Sequence, residues 1–184
     1  MTPSIAEQKK AQNIAEYVLY VWQMEDLLRA AAFDLDVIGR FVESFVTNPE
    51  QQEVELVWFH DLAKSMKRQG LEKRGHILDV REILTEMVFL HQTLIGILED
   101  ASYLAVFKEA KPFIAEYVQK AGVALNNDVE ACLTALYGLM VLRLRKAEVT
   151  PETEEAMELF GKLMGRLAGE YRKMKSGEMK VNLN

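Results

Sequence analysis

The sequence predicts an all-α protein, a single helical bundle of six or seven helices with a buried, central N-terminal helix. Three observations carry that prediction. No segment of any length alternates apolar and polar residues with the period of two that a half-buried strand needs. Apolar residues instead recur at helical spacing, punctuated by recognisable caps and stops. And the stretch Asn13 to Asp36, NIAEYVLYVWQMEDLLRAAAFDLD, is apolar on nearly every side when placed on a helix, as a helix surrounded by others would be.

The elements follow in order. Ser4 with Glu7 forms a capping box, so the first helix starts at Ile5. Continued to Val46 it would span roughly 60 Å at 1.5 Å per residue, too long for a small domain. A break is therefore expected at Phe33 to Asp36, where Asp34 and Asp36 offer N-cap oxygens. Asn48-Pro49 starts the next helix, with the proline at its first position, and Gly70 ends it. Trp58, Phe59, Leu62, Ala63 and Met66 form its inner face, and Glu53, His60, Lys64 and Lys67 its outer one. A helix from His76 to Leu98 follows a basic loop and buries Val80, Ile83, Leu84, Met87, Leu90, Leu94 and Leu98. Asp100 caps another to Lys120, with Pro112 bending or dividing it and Gly122 closing it. Asn127 caps a helix from Asp128 to Lys146, and Thr150-Pro151 caps the last, which runs to about Lys175. The stripe Ala131, Ala135 and Gly138 would let another backbone come close, and the expected partner is the first helix. Residues 1–177 are expected to form one domain and 178–184 a mobile tail.

Composition bounds the function. The chain has 184 residues, 49% of them apolar, enough for a sizeable core, and its formal charge of −6 disfavours nucleic acid or an anionic membrane as partner. The N-terminus has no signal-peptide core and no apolar run approaches the length of a membrane span, so a cytoplasmic location is expected. The one cysteine, Cys132, reads as a buried, inert thiol.

NIAEY, YVWQMEDLLRAAAFD, the Gly75-His76 pair, LHQTL at Leu90 to Leu94, ALYGLMVLRL at Ala135 to Leu144 and VTPET at Val149 to Thr153 together resemble an uncharacterised family of all-helical cytoplasmic proteins from Bacteroides-type bacteria, a domain of unknown function. The resemblance spans almost the whole chain. It implies a helical single domain with no assigned activity or cofactor, and it carries over no catalytic residue.

The residues themselves offer little chemistry. Carboxylate-bridged metal sites in helical bundles use inward Glu-x-x-His pairs, and the chain has none. His76 and His91 share an apolar face but stand roughly 22 Å apart along a helix, too far for one ion. No metal site and no cofactor is therefore expected. His91, among Leu84, Met87, Val88, Leu94 and Ile95, reads as a core histidine bonded to a neighbour; His76 is expected to satisfy backbone groups at its helix start, and His60 to be exposed. The basic group Lys64, Lys67, Arg68, Lys73 and Arg74 reads as a solvated helix end and loop.

The remaining candidate is polar. Arg29 can meet Glu25 at i, i+4 or Asp26 at i, i+3, within reach of Tyr20 and Gln23. Two readings stand: a buried ion-pair network that fixes helix register, or a small ligand pocket formed by Tyr20, Gln23, Glu25, Asp26 and Arg29 with His91 and Tyr137. The leading function is a non-catalytic interaction protein that self-associates into a homo-oligomer, since Val37, Phe41, Tyr103 and Phe107 look too apolar for one bundle to cover. The alternative is a small-molecule-binding or enzymatic bundle using the polar cluster.

Overall fold

In the computed structural model, which describes residues 2–122 and 125–178, eight α-helices and no strand occur among the described residues. They are α1 (Ile5–Gln12), α2 (Ile14–Ala30), α3 (Leu35–Phe45), α4 (Pro49–Arg68), α5 (Leu78–Gly96), α6 (Ala101–Ala121), α7 (Asp128–Leu144) and α8 (Pro151–Ser176). The all-α expectation holds, with one helix more than the six or seven predicted. The tail predicted from Glu178 lies, from residue 179 on, outside the described residues.

The extra helix comes from Asn13, which serves two helices at once. Its extended backbone donates N–H to the Lys9 carbonyl and closes α1, while its side-chain oxygen accepts from the N–H groups of Ala15 and Glu16 and opens α2. The break at the other end of α2, from Ala31 to Asp34, overlaps the Phe33 to Asp36 predicted and begins two residues earlier. Ala32 and Phe33 both take left-handed backbone, at φ 50° and 60°, which costs about 1–2 kcal/mol per residue for a side chain with a Cβ. Asp34 then accepts from Asp36 and Val37 and starts α3. Pro112 does not divide α6, because it and Lys108 lie on the exposed side, where water can serve the carbonyl that proline leaves unpaired.

The chain divides into two compact units, Met1–Ile83 and Leu84–Asn184, with the boundary inside α5. In the first, α1 packs on α2, and α4 packs on both α2 and α3. Val18, Val21 and Leu28 of α2 meet no solvent, and neither do Ile38 and Val42 of α3 or Phe59 and Met66 of α4. In the second, α6, α7 and α8 pack pairwise around Ile114, Leu133, Phe160, Leu163 and Leu167. Ala131 and Ala135 are buried, but a Cβ at Gly138 would meet nothing within 4 Å, so that glycine marks no close approach. The predicted apolar surplus needs correcting as well. Tyr103 and Phe107 are buried, at 0% and 6% exposure, because both turn inward onto His91; only Val37 and Phe41 remain partly open.

Candidate functional site

The polar residues of α2 meet the segment that joins α4 to α5. Gly70, at φ 68°, terminates α4, and the chain returns along Leu71 to Gly75. Gly75 sits at φ 91°, and a Cβ there would lie 3.1 Å from the Leu71 side chain, so this position needs glycine on two counts. Arg29 holds the segment by its backbone: Nε donates to the Leu71 carbonyl at 3.1 Å, Nη2 donates to the Gly75 carbonyl, and Nη1 pairs with Asp26 at 2.8 Å. Its flat fork of donors suits several acceptors at once, which a lysine could not match.

Glu25 takes the next two residues. Its carboxylate has no exposure, and its Oε1 accepts from the Ile77 N–H at 2.8 Å while Oε2 accepts from His76 Nδ1 at 2.5 Å. The His76 ring stacks on Trp22, centroids 4.6 Å apart at 22°. Ile77 is where α5 begins: its carbonyl accepts from Val80 and Arg81, and the N–H of Leu78 goes to Gln69 Oε1. No Ser, Thr, Asp or Asn precedes α5 as a cap, so side chains from α2 and from Gln69, the C-cap of α4, satisfy its first donors instead.

Several expectations change here. Glu25 and Arg29 do not pair; Arg29 takes Asp26, the i, i+3 option, and Glu25 takes the start of α5. His76 does not serve backbone groups, and α5 opens two residues after it. Tyr20 leaves the cluster, its ring lying 5.6 Å from that of Trp58. Its hydroxyl is buried without a hydrogen-bond partner; burial, and after it the Glu55 carboxylate, pushes the phenol far above its usual range. Gln23 is half-buried and joins none of these bonds. Of the seven candidates, then, the structure joins Glu25, Asp26 and Arg29 around one loop.

His91 and Tyr137 belong to the second unit. Tyr137 is half-buried on α7. His91 is the core histidine the sequence predicts: 3% exposed, with Nδ1 2.7 Å from the Tyr103 hydroxyl and its ring edge-on to Phe107. Its Nε2 lies 3.6 Å from Asp128, beyond a normal hydrogen bond. The His91 ring beside it, and after it the Lys111 charge, hold the Asp128 carboxyl below its usual range. His60 is exposed, as predicted.

Two buried acids went unnoticed in the sequence, Glu55 on α4 and Glu170 on α8, which pairs with Lys173. Glu55, without exposure, accepts from the Ile5 N–H at 2.7 Å and from Gln51 at 2.6 Å, and so ties the first turn of α1 to α4. Its spacing from Phe59, Leu62 and Met66 places it on the inner face of α4, and an acid at an inner-face position was the available signal.

The cluster's bonds run to its own chain, which makes it a clasp on the α4–α5 segment. Arg29→Met should cost about 1–3 kcal/mol, the loss of donors to two carbonyls, because Asp26 is largely exposed and its charge is not stranded. Urea melts that show no loss would mean the guanidinium bonds are not holding the loop.

Among the described residues no group of three or more His, Cys, Asp or Glu is placed to hold a metal ion, and no helix is long and apolar enough to cross a membrane. The profile of a family described as Domain of unknown function (DUF4924) matches residues 3–178. No curated protein and no solved structure matches the chain.

Proposed function

The chain belongs to that domain-of-unknown-function family, and from this premise we propose that it works without catalysis, through protein contact, by associating with itself. One observation carries the reading. Phe89 and Ile97, at 65% and 70% exposure, stand on the outer side of α5 and at its C-terminal end, in the second unit. A large aromatic ring on the solvent side of a helix gains nothing from folding and loses water-exposed apolar area when a second surface covers it. The polar cluster supports the same reading from the other direction, since Glu25 and Arg29 spend their bonds on the protein's own loop. Sedimentation velocity should show concentration-dependent association in the micromolar range, and Phe89→Ser with Ile97→Ser should weaken it. A strict monomer at tens of micromolar would overturn the proposal.

The small-molecule-binding or enzymatic reading keeps one observation in its favour. His76 is 38% exposed, with its Nδ1 fixed by a buried carboxylate, the arrangement that orients an imidazole for proton transfer. Native mass spectrometry decides between the two: a retained small mass, lost in His76→Gln, would favour this second reading.

A further inference from the structure

The outer face of α8 carries three glycines beside open space. Its inner face buries Phe160, Leu163, Met164, Leu167, Ala168 and Tyr171. The opposite face carries Glu158, Gly161, Gly165, Gly169 and Arg172, which at 3.6 residues per turn fall within an arc of about 80°. Glu158, Gly161, Gly165 and Arg172 are exposed, and Gly169 is half-exposed. A Cβ added at any of the three glycines would meet nothing within 4 Å, so no packing among the described residues requires them. Glycine is among the poorest residues for a helix interior, and a face meant only for water would carry Lys, Glu or Ala there. The charged side chains that reach across to α6 lie on the flank of this arc: Lys162 pairs with Glu109 at 3.1 Å, and Arg166 bonds Ser102. Glu158 and Arg172, which bracket the three glycines along the helix axis, are engaged by nothing among the described residues.

The placement of those two charges names the occupant. Glu158 lies seven residues before Gly165 and Arg172 seven residues after it, each roughly 10 Å away along the axis. We propose that α8 pairs with α8 of a second copy of this chain, antiparallel, about a twofold axis at Gly165. In that register Gly165 meets Gly165, Gly161 meets Gly169, and Glu158 of each copy meets Arg172 of the other. The face is complementary to itself, as a twofold interface requires. The glycines let the two backbones approach more closely than larger side chains would allow. A parallel pairing would set Glu158 on Glu158 and Arg172 on Arg172, which like-charge repulsion opposes. This inference rests on the self-association reading and adds to it a surface separate from Phe89 and Ile97.

Disulfide trapping tests the register. Glu158→Cys and Arg172→Cys proteins, mixed under mild oxidation, should form a mixed disulfide dimer, while each alone forms little. Unaltered protein serves as the control, since its one thiol, Cys132, is fully buried. Glu158→Arg alone and Arg172→Glu alone should each raise the dimer dissociation constant about tenfold, and the double reversal should restore it. Gly165→Leu should abolish pairing in a chain that stays folded, because leucine is the better helix former. Homodisulfides from Glu158→Cys alone would show a parallel contact and overturn the proposal. Absence of the mixed disulfide while sedimentation still shows a dimer would overturn the α8 pairing and leave self-association standing. A strict monomer by sedimentation would overturn both.

Discussion

His76→Ala should lower the unfolding free energy by about 3–5 kcal/mol, a large share of the roughly 5–15 that a domain has in total. The reason lies in Glu25 rather than in the histidine. Glu25 is fully buried, and its carboxylate has two hydrogen bonds, from His76 Nδ1 and the Ile77 N–H. Without the imidazole a charge stays in the core with one backbone donor, and water cannot reach it cheaply. Adding Glu25→Gln should recover a good part of the loss, since the amide oxygen still accepts from Ile77 and no charge remains. The same Glu25→Gln added to Arg29→Met should recover nothing, because the two side chains have no bond between them to relieve. Urea melts of the four variants are the check. Equal recovery in both pairs would show that Glu25 and Arg29 form one network after all, and near-silent singles would return the cluster to the ligand-pocket reading.

That contrast also shows where the sequence could and could not be read. The caps were legible because a cap is a local device. Ser4 with Glu7, Asp34, Asn48 before Pro49, Asp100, Asn127 and Thr150 before Pro151 each serve N–H groups within three residues of themselves. Asn13 was legible in principle, since Glu16 follows three residues later and bonds it, but the helix-forming residues on both sides, EQKKAQ before and IAEYVLY after, hid the break. The start of α5 was not legible at all. Its donors are satisfied by Glu25 and Gln69, the first of them 52 residues away from Ile77. Helix periodicity places a polar residue on a face but says nothing about which distant backbone it will meet. For the same reason Arg29 could be assigned to two acids at helical spacing, yet not to the carbonyls of Leu71 and Gly75. The glycines of α8 were missed differently. Each is unremarkable alone, and only open space beside all three shows that no packing among the described residues accounts for them.

Alkali should unfold this protein well before it reaches the range where simple proteins lose their last tyrosine protons. Cys132, Tyr20 and Tyr103 are each held well above their ordinary values, first by burial, and further by the carboxylates or, for Tyr103, the Cys132 thiol beside them. All three are acids whose native form keeps the proton after the unfolded chain would release it. Their contribution is therefore complete below the unfolded value and is lost as pH rises from that value toward the native one. For the thiol the loss begins near pH 8.5 and for the tyrosines near pH 10. At pH 11 each tyrosine accounts for about 1 kcal/mol and the thiol for about 3, so the combined loss is on the order of 5 kcal/mol and comparable to the whole stability. Urea midpoints measured from pH 7.5 to 11 should fall in two stages. Cys132→Ala, although less stable at neutral pH because of the cavity it leaves, should lose the first stage and keep the second. A midpoint that stays level to pH 11 would mean that the native protein ionises these groups freely, and that Cys132, Tyr20 and Tyr103 are not sealed from water as their burial describes.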